Sequence, residues 1–530
     1  MKLLWRLAAM LLLTSTAFGQ GKKFDVVIYG GTAGGIITAV SAAREGLRVA
    51  VLEPSKHLGG MVTGGLSATD HGKKETVGGY SLEFYERVGR HYGKEIEWYP
   101  EPRVAEKVFH EMVAEAKTIT VFLQHRLKEK GGVRKSRTRL TEIRTENGGV
   151  FQAEVFVDAT YEGDLMAQAK VSYTWGREGV SQYQESLAGV RPKDRNHQFD
   201  FPVPAYDENR KLKPELFYHP RGSLGAGDKK VQAYNFRLIL TQEASNKVPF
   251  PKPPGYDPKR YELLARFLAE FVKQKGRPPR TGEILLPREV ANHKWDFNNR
   301  GPFSTDYIGQ SWEYPEAGYR RRAEIWQEHV AYTKGLFYFL THDPRVPKPM
   351  QDELNEFGLA RDEFTDNDHW PYQLYIREAR RLVGDFVVMQ KDIQTELTKP
   401  DVIGMGSYNS DSHNVQRYVT EEGHAQNEGN MEVPVTPYQI PYRILLPKKS
   451  QATNLLVPVC FSASHVTYST LRMEPVYMII GQAAGVAAKL AIDQRVAVQD
   501  IDTAALTAKL RGQRAVMEWR RPEARSETKP

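Results

Sequence analysis

The stretch that most constrains this chain is residues 24–53, FDVVIYGGTAGGIITAVSAAREGLRVAVLE. Val26–Tyr29 is a short apolar run of the kind that forms a buried parallel strand. It enters Gly30-Gly31-Thr32-Ala33-Gly34-Gly35, a run small enough for a tight turn. Ile36 to Glu45 has a helical pattern, Gly46 stands where a helix C-cap would, and Arg48–Leu52 is a second strand ending on Glu53. Strand, turn, helix, strand and acid in this order specify a βαβ unit. Turn glycines bring backbone N–H groups up to a pyrophosphate at a helix N-terminus, and the acid accepts from ribose hydroxyls. With Gly30 and Gly35 as the outer glycines of G-x-G-x-x-G, Thr32 replaces the middle one. The expectation is a dinucleotide site; the plainer alternative is a βαβ unit with a glycine turn and no ligand. An acid at position 53 favours FAD or NAD over a 2′-phosphorylated cofactor.

The next residues are Pro54-Ser55-Lys56-His57-Leu58-Gly59-Gly60-Met61-Val62-Thr63-Gly64-Gly65-Leu66. Two Gly-Gly pairs beyond the acid suit an extended cofactor that threads past its pyrophosphate. A strand-ending Glu followed by Leu-Gly-Gly-Met resembles the FAD-dependent oxidoreductases with a glutathione-reductase-like FAD domain. Within them it looks like the exported bacterial branch, whose members are sometimes labelled xanthan lyase. The resemblance implies FAD, held by Gly30, Gly31, Thr32, Ala33, Gly34, Gly35, Glu53, Pro54, Gly59, Gly60 and Met61.

Later stretches extend the reading. A helix from about Val104 to Lys117 leads to a third strand, Thr118–Leu127. Val133–Thr145 and Val150–Val157 alternate as a β-meander does. The second ends in Asp158-Ala159-Thr160-Tyr161-Glu162-Gly163-Asp164, which resembles the second FAD segment of the fold. That likeness assigns Gly163 and Asp164 to the cofactor surround; the alternative is a turn with Asp164 capping a helix. Asn454–Val459 is another buried-strand run. Beyond it come His465, then Arg472-Met473-Glu474-Pro475 and a long small-residue helix, Val476 to Ala491, which contains Gly481. In the family this helix N-terminus points at the flavin, where its positive end stabilises charge that appears on reduction. Glu474 and Gly481 are therefore expected beside the cofactor.

The fold class that follows is α/β: a Rossmann-like FAD-binding domain, parallel sheet plus β-meander, interrupted by an inserted α+β substrate domain. Residues 21–175 and 440–512 form the first, 176–439 the insertion, and 513–530 a flexible tail. Residues 1–19 read as a signal peptide: Lys2 and Arg6, an apolar run Leu7–Leu13, and small residues at Ala17 and Gly19. That run is too short to span a bilayer, and no later segment is expected to. The protein is accordingly expected to be exported, periplasmic or secreted, without stable membrane insertion. One cysteine, Cys460, excludes a disulfide framework and cysteine-based metal sites, and no metal is expected. Lys+Arg 73 against Asp+Glu 65 is a diffuse basic excess, which does not call for nucleic acid.

In the insertion, the Tyr-Arg-Arg-Arg run at 319–322 reads as a solvated helix face. Tyr372 to Ile393 reads as a helix with Arg377 and Arg381 one turn apart, either an anion clamp over the flavin or an internal ion-pair network. The loop SYNSDSHNVQR at 407–417 crowds Tyr408, Asn409, Asp411 and His413 together. His413 and His465 are the candidate bases, with Arg381 and Arg472 as further catalytic candidates; each histidine is alternatively a packed, backbone-bonded residue. His57 is a remote candidate for a covalent flavin link. The leading function is hydride transfer to flavin from a small-molecule substrate, a sugar-like alcohol, with an unidentified electron acceptor. The rivals are a polysaccharide lyase, which leaves residues 24–66 without a purpose, and a flavin-binding protein without turnover.

Overall fold

The computed structural model describes residues 21–216 and 221–520. The expected leader lies outside the described residues, as do the last ten residues of the expected tail. β1 (Lys22–Tyr29), α1 (Ala33–Arg44) and β2 (Val49–Glu53) form at the apolar runs. β1 and β2 pair in parallel from Val26↔Val49 to Tyr29↔Leu52. Their side chains alternate between two cores: Val26 and Ile28 lie with Ile36, Val40 and Ala484, and Val27 and Tyr29 with Leu140, Leu165 and Leu455. Burial on both faces is why these strands read as unbroken apolar runs.

α2 (Gly79–His91) and α3 (Pro102–Glu115) lead to β3 (Ile119–Leu123), which joins β2 in parallel. β4 (Val133–Ser136), β5 (Arg139–Arg144) and β6 (Val150–Asp158) make the meander. β6 runs parallel to β1 along its length, and its second half also takes up the late strand Leu455–Leu456 in parallel. The sheet order is β3-β2-β1-β6-β5-β4, with the late strand beside β6. The carboxyl ends of β1, β2 and β6 therefore meet at one edge, the place where open α/β sheets bind ligands.

After α4 (Asp164–Gln168) the chain enters the inserted region. β7 (Leu238–Thr241), β8 (Lys247–Val248), β9 (Leu285–Val290), β10 (Lys294–Asn299) and β11 (Gly358–Ala360) build an antiparallel sheet in the order β9-β10-β7-β11-β8. α5 (Tyr319–His342) packs on it through Phe337, which meets Phe250 and Phe297. Arg320, near the start of α5, is 94% exposed, whereas Arg322 is buried. Its guanidinium donates to Asp164 Oδ2 (2.7 Å), Tyr314 O (3.0 Å) and Pro315 O (2.9 Å), so it pins the insertion to the parallel-sheet domain. The run at 319–322 is thus only partly a solvated face, because adjacent helical residues point about 100° apart.

A second expectation fails over most of its length: residues 372–389 are not helical, and only the end of the expected Tyr372–Ile393 helix forms one, at Gln390–Gln394. Arg377 and Arg380 lie in extended, irregular chain, and Arg381–Leu382 pairs with Tyr173–Thr174 as a short antiparallel ladder. The chain returns through α6 (His465–Leu471) to α7 (Glu474–Gln494), with Pro475 in its first turn. α7 packs closely on α1 and shares the core beneath it with the sheet residues Val26 and Ile28. A Cβ on Gly481 would lie 2.3 Å from Gly34 O, and one on Gly485 2.5 Å from Ser41 Cβ, so glycine is what permits the approach. α7 is long and apolar enough to cross a membrane by composition, contrary to expectation, but 89% of its apolar window is buried in the body. Residues 513–520 are docked rather than frayed: Arg514 O accepts from Gly79 N and Met517 O from Gln439 Nε2.

Candidate functional site

The glycine turn after β1 explains its own sequence. Gly30 has φ +105° and a Cβ there would meet the Ala159 carbonyl at 2.8 Å; one on Gly35 would lie 2.1 Å from Gly30 O. Thr32 has ordinary extended geometry, φ −63° and ψ 169°, so a Cβ costs nothing there. Its hydroxyl donates to Ala159 O (2.8 Å) and accepts from Gly35 N (3.1 Å), capping α1. The side chain at the middle position is thereby turned towards β6. Ala33 and Gly34 open the first helical turn, whose amides have no intrahelical acceptor.

Glu53 sits at the end of β2, 9% exposed. Its Oε2 accepts from Gly31 N and its Oε1 from Ser55 N, each at 2.7 Å, while burial pushes its pKa up. Gly59 N donates to Gly31 O (2.7 Å), so the second glycine pair lies against the first turn. Gly59 and Gly60 take φ +96° and +59°, and side chains there would strike Phe109 and Tyr161. Met61 N donates to Tyr161 Oη (2.9 Å), and Tyr161 donates to Glu474 Oε1 (2.7 Å). Tyr161, which the sequence reading assigned no role, therefore joins the Gly-Gly-Met turn to the start of α7. Glu474 Oε2 is buried without a partner, and burial raises the carboxyl to about 8 although it stands at a helix N-terminus.

These groups fit a dinucleotide cofactor. Backbone amides of the first α1 turn suit its pyrophosphate, and each Glu53 oxygen keeps a lone pair for ribose. The glycines hold the cradle free of side chains, and the orphaned Glu474 oxygen awaits a polar partner. Pro54 follows Glu53 and is half-buried. Gly163 takes φ +70° ahead of α4. Asp164 is turned away to Arg322 and Arg380, each 2.7 Å distant. Both arginines overcome burial and hold its carboxyl low, so it serves as the insertion's anchor in this structure. Gly481 is explained by packing on Gly34. His57 stacks on Tyr372 and pairs Glu106 through Nδ1 (3.1 Å) and Asp366 through Nε2 (3.2 Å). With both nitrogens engaged, it offers nothing for a covalent flavin link.

A polar cavity of about 170 Å³ lies where the chain beyond Gly65 meets the insertion. The loop after the second Gly-Gly pair contributes Ala68 and Asp70, and the insertion contributes Tyr375, Tyr408, Asp411 and His413. Arg472, just ahead of α7, donates to Tyr375 Oη (2.8 Å) and Asp411 O (2.7 Å), which ties the cavity wall to the cofactor side. His413 Nδ1 lies 2.7 Å from Asp306 Oδ2, and its backbone N donates to Gln232 Oε1 (3.1 Å). Asp306 Oδ1 faces Arg377 Nη2 at 3.0 Å, close enough for an ion pair but off the line of a hydrogen bond. Burial, reinforced by Arg377, lowers His413 to about 4. For Asp306 burial acts upwards, and Arg377 and His413 outweigh it to hold the carboxyl at about 2. His413 is thus a neutral imidazole at neutral pH.

The second histidine is placed differently. His465 opens α6 and is absent from the cavity wall. Its Nδ1 meets Glu378 Oε2 (2.8 Å) and its Nε2 meets Ser412 Oγ (3.2 Å). Arg381, fully buried, pairs with Glu378 and with Glu178 (2.5 Å) and donates to Ala463 O (3.0 Å). Arg381 and His465 belong to one internal ion-pair network, and the structure does not bring them to the cavity. Asp306, His197 and Arg237 are site residues that the sequence reading missed; no periodicity or motif marks Asp306, whose partners are 71 and 107 positions away. The carboxylate cluster Glu101, Asp362 and Glu363 has metal-ligand spacing, but the Lys294 ammonium fills it at 2.6–2.8 Å.

The family described as FAD dependent oxidoreductase matches residues 25–510. No curated protein matches the chain. Among solved structures, OxyS anhydrotetracycline hydroxylase from Streptomyces rimosus is 13% identical over 32% of this chain and 41% of its own, with TM-score 0.23. Thioredoxin reductase from T. acidophilum is 20% identical over 26% of this chain and 35% of its own, with TM-score 0.17. The chain thus spans less than half the length of either. A geranylgeranyl bacteriochlorophyll reductase-like protein from Thermoplasma acidophilum is 11% identical over 93% of this chain and 83% of its own, with TM-score 0.36.

Proposed function

The chain belongs to the FAD dependent oxidoreductase family, and from that premise we propose that it oxidises a small hydroxylated molecule, a sugar-like alcohol, bound in the cavity at His413. FAD, when bound, supplies the two-electron acceptor for the hydrogen leaving the substrate carbon. Gly30–Gly35, Glu53 and Gly59–Met61 are the residues that would hold it. The chain's own part is to bind, orient and deprotonate. Tyr375, Tyr408, Asn409 and Asp411 offer donors and acceptors suited to several hydroxyls. His413 takes the hydroxyl proton at Nε2, because Nδ1 already faces Asp306.

The observation that carries this reading is the contrast between the two histidines. One faces the cavity with a nitrogen available; the other is bonded at both nitrogens inside the protein. Export through residues 1–19 and an external electron acceptor belong to the same proposal, the first supported by the leader-like sequence. The test is anaerobic mixing of FAD-loaded protein with sugars, sugar alcohols and sugar acids. A substrate bleaches the flavin, and His413→Gln slows bleaching about 10²- to 10⁴-fold whereas His465→Gln acts on stability. Unsaturated uronate product without bleaching would indicate a lyase, and flavin that no compound reduces would indicate a carrier; either result overturns the proposal.

A further inference from the structure

His413 does not stand alone, and its surroundings dictate more than its charge. Three chain segments distant in sequence meet at its ring: the loop bearing Asp306, the extended stretch bearing Arg377, and the residues that follow the strand Ser410–Ser412. Asp306 is 4% exposed and Arg377 1%. Arg377 is held in turn by donating to Ala233 O and by lying 4.6 Å over the Tyr375 ring. His413 is held by the Gln232 bond to its backbone and by His197, whose ring stacks on it at 5.9 Å and 18°. Burying an arginine, an aspartate and a histidine together is costly, and a purely apolar filling would serve packing better.

We propose that Asp306 and Arg377 are positioning residues that fix His413 as the Nδ1–H tautomer, with Nε2 unprotonated and aimed into the cavity. The inference rests on the reading of His413 as the base. A carboxylate can only accept, so Asp306 Oδ2 requires a proton on Nδ1. The neutral ring has one N–H, so Nε2 is left as an acceptor. Arg377 adds what the carboxylate alone does not. Its positive charge beside Oδ1 fixes which oxygen faces which partner and keeps Asp306 ionised. Asp411 Oδ1, 3.9 Å from Nε2, and Glu432, 3.4 Å from His197 Nε2, are the other acids that face this pair of rings.

The geometry makes an unusual prediction for Asp306→Asn. The guanidinium attracts a carbonyl and repels an amide NH₂, so the asparagine oxygen stays at Arg377. Its NH₂ then faces His413 Nδ1, which must accept, and the ring proton moves to Nε2. Removing the guanidinium as well, in Asp306→Asn with Arg377→Met, frees the amide to turn and returns the proton to Nδ1. A group that merely fills space would produce no such reversal.

The experiment is ¹⁵N NMR of the FAD-loaded protein labelled at histidine, at neutral pH, with His413→Gln used to identify the ring signals. The expected result is Nδ1–H in the wild type, Nε2–H in Asp306→Asn, and Nδ1–H again in the double variant. A wild-type ring protonated at Nε2, or an Asp306→Asn protein that retains its flavin and keeps Nδ1–H, overturns the proposal. The wild-type spectrum decides the matter even if a variant does not fold. The reading of His413 as base fails separately: it falls if His413→Gln leaves substrate-driven bleaching unchanged, whatever the tautomer.

Discussion

Glu474 is the carboxyl whose burial has the clearest measurable consequence. It stands in the first turn of α7, accepts from Tyr161, and leaves Oε2 unpartnered; burial moves it from an ordinary 4.5 to about 8. Below 4.5 the group is protonated in both the folded and unfolded chain, and Glu and Gln are equivalent there. As pH rises the unfolded chain ionises first, so it holds fewer protons than the native state and wild-type stability falls. The loss continues until the native carboxyl itself ionises near 8. Each pKa unit is worth about 1.4 kcal/mol, so between pH 5 and pH 8 the wild type loses about 3.5 kcal/mol relative to Glu474→Gln. Gln keeps an acceptor for Tyr161 and cannot ionise. The assay is denaturant unfolding of the two apoproteins at pH 5, 6.5 and 8. A difference that grows with pH in the variant's favour is expected. A constant difference, or a variant that loses ground at high pH, would mean that Glu474 is ionised and paired in the native protein.

Two further outcomes follow from the packing. Thr32→Ala removes both the cap on Gly35 N and the bond to Ala159 O, and should cost about 1–2 kcal/mol in a denaturant melt, with Thr32→Ser restoring most of it. Arg322→Met strands Asp164 with one arginine and should cost about 3–5 kcal/mol, whereas Arg320→Met on the exposed flank of the same helix should stay within about 0.5 kcal/mol; thermal melts of the pair measure the contrast.

The parallel-sheet domain was legible because its signals are local. An apolar run, a glycine turn and an acid are consecutive, and each fixes its own backbone geometry. Thr32 looked like a defect and proved to be a cap, since the middle position needs room towards the cofactor rather than positive φ. The small residues of α7 suited close packing, and the two glycines that need it, Gly481 and Gly485, meet α1. Failures begin where arginines are read by spacing. Arg377 and Arg381 suggested one helix face, yet they and Arg380 seek different acids: Arg377 takes Asp306, Arg381 takes Glu378 and Glu178, and Arg380 takes Asp164 and Glu316. An extended chain can point neighbouring side chains in opposite directions, and a helix cannot. Asp306 was invisible for a related reason. A buried pair whose members lie on separate segments leaves no pattern within either one.

The cradle from Gly30 to Met61 is expected to grip the adenylate half of FAD through Glu53 and the first turn of α1. Titrating apoprotein with FAD and with FMN, which lacks that half, tests it most directly. FAD should bind at least about 100-fold more tightly, a difference of about 2.7 kcal/mol, and Glu53→Ala should weaken FAD while leaving FMN unchanged. Equal affinity for the two flavins, or a Glu53→Ala protein that binds FAD as the wild type does, would contradict the account.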